Sequence, residues 1–418
     1  MQCAIDSDFV RKVTETFATR IFLIGIGLVT GVIVARILGP EGRGLYGVAV
    51  TIGAIGVQFG NMGLHASNTY YVARDRELLA PLVGNILLVG LVFGGIISVL
   101  AGALFYIYPH IAPLDGLLLT LALVYIPLGL TYMLLQSLLL GIQEVRIYNK
   151  IDIINSFFTF CLVGIVIAIG IVSVESVFAM GLVALFIGCV WIMRLLLTYT
   201  DSPPLPSLSL FRNNISYGLK AYFSSLFVFL MLRIDLLMIK YILGAEEAGH
   251  YSIAVNMADM VYMLPLVVST ILYPKLSAIK NVHEKWRYTK NVLVVLGLVM
   301  FAICIFFALF SHVIVGLLVG KVYLPAVPAF VVLIPAIYLL SLGGILGNFN
   351  ASVMIPPSSI PFTLGLAILN ILLNLVLIER YGIVGASVSS MICYGLLIPF
   401  NVYYVKVYLS RADELSSE

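Results

Sequence analysis

Twelve apolar runs, each about the length of a membrane-crossing helix, follow one another along this chain. They lie near residues 17–38, 44–64, 82–108, 114–140, 151–173, 176–199, 219–243, 249–272, 291–318, 325–347, 360–378 and 383–405. About 20 apolar residues in a helix cross the hydrocarbon layer, so the reading is an all-α integral membrane protein with twelve transmembrane helices. Composition agrees: 61% of the 418 residues are hydrophobic and 10% charged, with a mean hydropathy of +1.11, where soluble domains run near 45–50% apolar and about 25% charged. A net charge of +3 without a basic tract argues against nucleic acid as a partner. Cys3, Cys161, Cys189, Cys304 and Cys393 are far apart and offer neither a disulfide framework nor a zinc spacing; no metal site is expected. The first run lacks a small-residue cleavage site and is followed by many more, so it reads as the first span rather than a signal peptide.

The connections are short. The longest joins spans six and seven and contains "DSPPLPSLSLFRNN", whose prolines interrupt helix. The expected division is therefore a six-helix bundle over residues 1–200, a cytoplasmic linker over 201–218 and a second six-helix bundle with a short tail over 219–418. Lysine and arginine set the orientation. With the N-terminus inside, inner segments hold seventeen of them and outer segments five (Arg36, Arg43, Lys240, Lys321, Arg380). Both termini are thus expected in the cytoplasm. The inner loops "ARDRE" and "KNVHEKWRYTK" would meet anionic membrane lipid.

An internal repeat ties the two halves together. "ILGPEGRGLYGVAV" (Ile37 to Val50) and "ILGAEEAGHYSIAV" (Ile242 to Val255), 205 residues apart, agree at eight of fourteen positions. Each joins two spans at an outer turn. Gly39 and Gly244 suit the left-handed residue that ends a helix; Pro40, Glu41 and Glu246 suit the first turn of the next. Gly44 and Gly249 would let the hairpin close tightly, and Tyr46 and Tyr251 complete the motif. Six spans separate the copies, so the repeat is parallel. Transporters built from two such halves usually bind substrate between them, although a well-made outer hairpin is also a sufficient reason for the motif.

Charges inside the spans mark candidate sites. Arg233 and Asp235 fall well inside span seven, where a charge costs about 2.5–3.5 kcal/mol unless it faces a partner or a cavity. Two residues apart on a helix, they point in different directions. Counting from the hairpin places Asp259 of span eight at the depth of Arg233, and Asn256 near Asp235. The expectation is a polar layer of Arg233, Asp235, Asn256 and Asp259, serving either as a structural ion pair or as a lining that meets an anionic headgroup or a coupling ion. In the first half, Gln58, Asn61, His65 and Asn68 are spaced for one helix face. Arg20 and Arg36 flank span one, in a cavity or snorkelling to the interface. Asn155, Asn370 and Asn374 read as interhelical glue.

"ARILGPEGRGLYGVAV", "FGNMGLHASNTYYVAR", "RIDLLMIKYILGAEEAGHYSIAV" and the closing "LNILLNLVLIERYGIVGASVSS" resemble the polysaccharide transport, Wzx-type, family of lipid-linked oligosaccharide flippases. That family lies in the superfamily of multidrug and oligosaccharidyl-lipid exporters. The resemblance implies two six-helix bundles around a central cavity that opens alternately to each side. It implies a polyprenyl diphosphate oligosaccharide as substrate, the cell membrane as location, and polysaccharide polymerases and glycosyltransferases as partners. Arg233 and Asp235 match the charged pair of the family's seventh helix, and Arg20 and Arg36 lie nearer the ends of the cavity. No cofactor is implied; coupling to protons or sodium stays open, with Asp235 and Asp259 the candidates. An ion-coupled multidrug or small-solute exporter is the alternative. A membrane glycosyltransferase, polymerase or ligase would need catalytic groups in a substantial outer loop, and loops such as "YPHIAPLDG" are short and nearly uncharged.

Overall fold

The computed structural model describes the backbone of residues 7–200 and 202–417, and their side chains except those of 7–18, 20–21, 220–221 and 415–417. Among the described residues there are helices and turns but no strand. Helix α1 (Ser7–Asn61) contains the first two spans, folded back at Gly39, and α2 (Leu64–Arg74) carries span two onward. Span three is α3 (Leu79–Leu88), a π-helical turn (Val89–Phe93) and α4 (Gly94–Ile107). Then come α5 (Gly116–Gly141), α6 (Val145–Ile169), α7 (Val174–Leu197), α8 (Leu208–Leu243), α9 (Ala245–Ala278), α10 (Val282–Leu318) and α11 (Ala326–Val353). Helix α12 (Ser359–Ser417) holds the last two spans, folded at Gly382. Nine apolar stretches among the described residues are long enough to cross a membrane. Divided at Gly39 and Gly382 they supply eleven spans, and α8 completes the twelve. The chain is a multi-pass membrane protein.

The repeated hairpin is built around one glycine in each copy. Gly39 has φ 67° and ψ 179°, and Gly244 has φ 100° and ψ 179°. Their φ is positive, as expected, but ψ is extended rather than left-handed helical. That combination belongs to glycine alone, and it removes any need for a loop. The Gly244 N–H donates to Lys240 O and its own carbonyl accepts from Ala248 N, so one residue ends α8 and starts α9. A Cβ would meet nothing at either glycine; the requirement is conformational, not spatial. Gly44 and Gly249 are buried in the helices that follow, and Glu41 and Glu246 are exposed at their starts.

The helices divide into two compact units, one running to Leu226 and the other starting at Phe227. The division falls inside α8. Among the described residues, non-helical chain between spans six and seven is confined to 198–200 and 202–207, and part of the segment expected as a linker, from Leu208, is the start of that helix.

In the first unit, Leu82, Leu130, Leu134, Leu135 and Leu138 centre a buried cluster closed by Ile192 and Leu196 of α7. Pro127 lies inside α5 and has no N–H to give Leu123 O; Ser98 of α4 supplies that bond at 2.8 Å. A second break, at Met62 (φ 43°) and Gly63 (φ 78°), separates α1 from α2 and strands the last carbonyls of α1. The Tyr222 hydroxyl of α8 donates to Gln58 O and Phe59 O. Gly63 and Gly218 touch so closely that a Cβ on either would strike the other's backbone. Asn214 then donates to Asn68 at 2.7 Å, and Asn85 and Ser207 bond reciprocally. The first part of α8 is thereby zipped along the broken helix.

In the second unit, α11 packs against α9, α10 and α12. Asn350 donates to Asn401, and Asn370 donates to Ser389 and accepts from Asn374, so amides join helices as expected of interhelical glue. Asn155 Oδ1 lies against Gly188 of α7.

Gly244→Ala is expected to destabilise the purified protein by about 1–3 kcal/mol, the cost of a side chain in this backbone region. Gly365→Ala, at an open helical position, is expected to be neutral or stabilising by up to about 1 kcal/mol. Thermal unfolding in detergent measures both.

Candidate functional site

The candidate charges Arg233, Asp235 and Asp259 sit on α8 and α9, and the absence of a loop at Gly244 sets their register. Asp235 is nine residues before that glycine and Tyr251 seven after it, so the two are nearly level. The Tyr251 hydroxyl donates to Asp235 Oδ2, and the Leu236 N–H donates to Oδ1 at 2.8 Å. Arg233 is eleven residues back and Asp259 fifteen forward, a difference of roughly 6 Å in depth at 1.5 Å per residue, which a long arginine side chain spans. Arg233 Nη1 and Nη2 both donate to Asp259 Oδ2 at 3.1 Å.

Asn256 does not serve as the neighbour of Asp235. The residues after Gly244 that were counted as turn are already helix, and this moves the register by more than a turn. Asn256 is half-buried, between Tyr251 and Asp259 along α9.

The expected single layer is thus two arrangements. Asp235 is 3% exposed, enclosed within the unit and held by a hydroxyl and a backbone N–H. The side chains of Arg233 and Asp259 are 36% and 43% exposed. Charged side chains inside spans usually face a partner or a water-filled cavity rather than hydrocarbon. Tyr394 of α12, buried, lies within electrostatic reach of Arg233, Asp235 and Asp259, and Tyr262 of α9 lies near Asp259. With all three charged groups ionised, the cluster carries one positive and two negative charges. An anion arriving here competes with Asp259 for the guanidinium.

The duplication does not extend to these charges. The positions 205 residues earlier than Arg233, Asp235 and Asp259 are Leu28, Thr30 and Ala54, and the Thr30 hydroxyl bonds back to Ile26 O. Tyr46, the counterpart of Tyr251, packs edge-on to Phe178 with the Arg43 guanidinium 5.4 Å from its ring centre. Arg43, counted among the outer-loop cations in the sequence, is in fact buried.

The polar stripe expected on span two does not exist as one helix face, because the Met62–Gly63 break runs through it. Asn61 instead accepts from the His65 N–H at 3.0 Å, capping the new helix, and His65 is half-buried. Asn68 is committed to Asn214. Arg36 is exposed three residues before Gly39, and the Arg20 side chain lies outside the described residues. Sequence reasoning missed Tyr394 and Tyr262, and took Tyr251 only for a hairpin residue; the 16-residue spacing from Asp235 to Tyr251 becomes informative only once the hairpin is known to have no loop. Among the described residues no group of three or more His, Cys, Asp or Glu could hold a metal ion.

Residues 33–328 match the sequence model of a family described as polysaccharide biosynthesis protein. Over 209 residues the chain is 23% identical to an uncharacterized membrane protein of Methanocaldococcus jannaschii, a match covering 49% of this chain and 41% of that one. The chain thus spans about two fifths of the length of the curated relative it matches. Among solved structures, it resembles an inward-facing multidrug resistance MATE family transporter of the MOP superfamily, with a TM-score of 0.75, 15% identity and coverage of 93% and 95% of the two chains. It also resembles a MOP superfamily transporter from Pyrococcus furiosus, with a TM-score of 0.67, 16% identity and 96% coverage of each chain. The chain shares the fold of these two transporters.

Tyr251→Phe leaves the enclosed Asp235 short of a donor and is expected to destabilise by about 1–3 kcal/mol. Asp259→Asn removes half of an accessible pair and is expected to stay within about 1 kcal/mol of wild type. Thermal unfolding of the purified variants separates the two cases.

Proposed function

The chain belongs to the polysaccharide biosynthesis protein family, and on that premise we propose that it is a flippase for polyprenyl-diphosphate-linked oligosaccharide, moving it from the cytoplasmic to the outer leaflet of the cell membrane. The observation that carries the reading is the accessible Arg233–Asp259 pair deep in α8 and α9. A guanidinium holds phosphate oxygens in a planar fork, and the diphosphate is the part of this lipid that hydrocarbon rejects most strongly. In this mechanism the diphosphate takes Arg233 from Asp259 on arrival, and Asp259 reclaims it on release. Bringing the site to each side in turn by alternating access follows the habit of two-half transporters.

Asp235 and Asp259 have separate parts. Asp235, enclosed and doubly bonded, holds α8 to α9 and keeps Arg233 in register. Asp259, accessible and bonded to Arg233 through one oxygen, is the group whose proton or sodium ion would change as the cation leaves it. Both termini are cytoplasmic in this reading, which leaves the inner loops toward the enzymes that build the sugar chain. Polysaccharide polymerases and glycosyltransferases are the partners it implies.

A second reading, export of a small solute, draws on the fold it shares with a multidrug resistance transporter. The sidedness of lipid-linked sugar in cells with and without the gene decides between them. The flippase reading expects the sugar to be trapped at the cytoplasmic face without the protein and released on re-expression. Normal appearance at the outer face in its absence would sink the reading. Within it, Arg233→Ala is expected to cut flux roughly ten- to a hundredfold, the equivalent of a lost charge-assisted bond of about 1.5–3 kcal/mol. Arg233→Lys should lose much less, with both variants present at wild-type levels in the membrane.

A further inference from the structure

Two tyrosines of the first unit are held face to face yet left open. Tyr70 of α2 and Tyr217 of α8 have ring centres 4.6 Å apart and planes 11° from parallel, and they are 41% and 42% exposed. Tyr71, packed against the buried leucine cluster, meets both rings edge-on at 5.4 and 6.1 Å. The stack is therefore buttressed from the core. It is also fixed from the sides. One residue from Tyr217 is Gly218, in backbone contact with Gly63; three residues away is Asn214, bonded to Asn68. These contacts pin α2 and α8 together, so the rings stay stacked without any bound molecule.

The surroundings of the stack are polar. Asn213 and Ser216 are exposed on the same stretch of α8 as Tyr217, and Arg74 is exposed one turn along α2 from Tyr70. Residues that serve only to anchor helices at a membrane interface do not call for a pre-stacked pair of rings with amide, hydroxyl and guanidinium groups beside it. A pyranose ring does. One of its faces carries C–H bonds that pack on the electron-rich face of an aromatic ring, and its edge carries hydroxyls that bond to amides, hydroxyls and guanidinium groups.

We propose that Tyr70 and Tyr217 form a sugar platform that takes the pyranose rings of the oligosaccharide headgroup, with Asn213, Ser216 and Arg74 bonding their hydroxyls. The proposal rests on the flippase reading above and adds recognition of the sugar to recognition of the diphosphate by Arg233. On this proposal Arg233 acts on every lipid diphosphate, and the platform acts only where there is sugar beyond the first ring to stack.

The test compares two lipids in proteoliposomes of the full-length protein: a polyprenyl diphosphate bearing one hexosamine, and the same lipid bearing a tetrasaccharide. Translocation is read as the oxidation of sugar by externally added periodate. The double variant Tyr70→Leu/Tyr217→Leu keeps apolar bulk but removes the ring faces; Tyr70→Phe/Tyr217→Phe keeps the faces. The expected result is a loss of roughly tenfold for the tetrasaccharide lipid in the leucine variant, which corresponds to about 1.4 kcal/mol. The single-sugar lipid should move normally in that variant, and the phenylalanine variant should move both. Arg233→Ala should slow both lipids alike. If the leucine variant handles the tetrasaccharide lipid as wild type does, or slows both lipids equally, the platform is wrong and the stack is a structural or interfacial feature. If the wild-type protein moves neither lipid, the flippase reading itself fails, and the platform with it.

Discussion

A backbone amide in hydrocarbon has no water to bond to, and the breaks in these helices are built around that cost. At Gly39 and Gly244 a backbone conformation reserved for glycine ends one helix and begins the next with no intervening loop. At Pro127 the lost N–H is replaced by the Ser98 hydroxyl from the neighbouring helix. At the Met62–Gly63 break, the Tyr222 hydroxyl meets the stranded carbonyls of α1. In each case the repair also fixes where two helices lie, so the devices that satisfy the backbone are the ones that position side chains.

The charged site follows from the same constraint. A loop of a few residues at the α8–α9 turn would have placed Asp235 beside Asn256. The glycine turn brings Tyr251 level with it instead, so that one acid is sealed inside the unit by a tyrosine. The second acid, deeper along α9, draws Arg233 across a turn of helix and stays accessible. Two carboxylates that look alike in sequence thus differ in what they can do: one is spoken for by neutral donors, and the other holds a cation that an incoming anion can compete for.

The duplication adds a further point about economy of function. Both copies keep the glycine turn and its tyrosine, which the architecture requires, yet the first copy has Leu28, Thr30 and Ala54 where the second has its charges. The Arg233–Asp259 pair has no counterpart at the repeat-related positions, so the two units are alike in construction and unlike in chemistry there. Among its accessible positions the first unit has the aromatic pair Tyr70 and Tyr217. A substrate with an anionic group and a neutral, hydroxyl-rich group has both kinds of surface available on one chain.

By itself, the sequence determined the membrane location, the twelve spans, the parallel repeat and the presence of buried charge, because each depends on run length, lysine and arginine counts or local identity. It also singled out Arg233 and Asp259 as a pair, since two helices joined by a short turn leave few partners at a given depth. Tertiary structure decided the rest. Whether Asp235 met Asn256 or Tyr251 depended on whether the four residues after Gly244 were loop or helix, a question of one backbone angle that spacing does not reveal. The stripe on span two dissolved because Met62 and Gly63 break the helix, and that break is held by Gly218 and Tyr222, more than 150 residues away. The stacked Tyr70 and Tyr217 lie 147 residues apart in the chain. Such contacts depend on how close two backbones come, and sequence periodicity records only the face a residue is on, never what arrives to meet it.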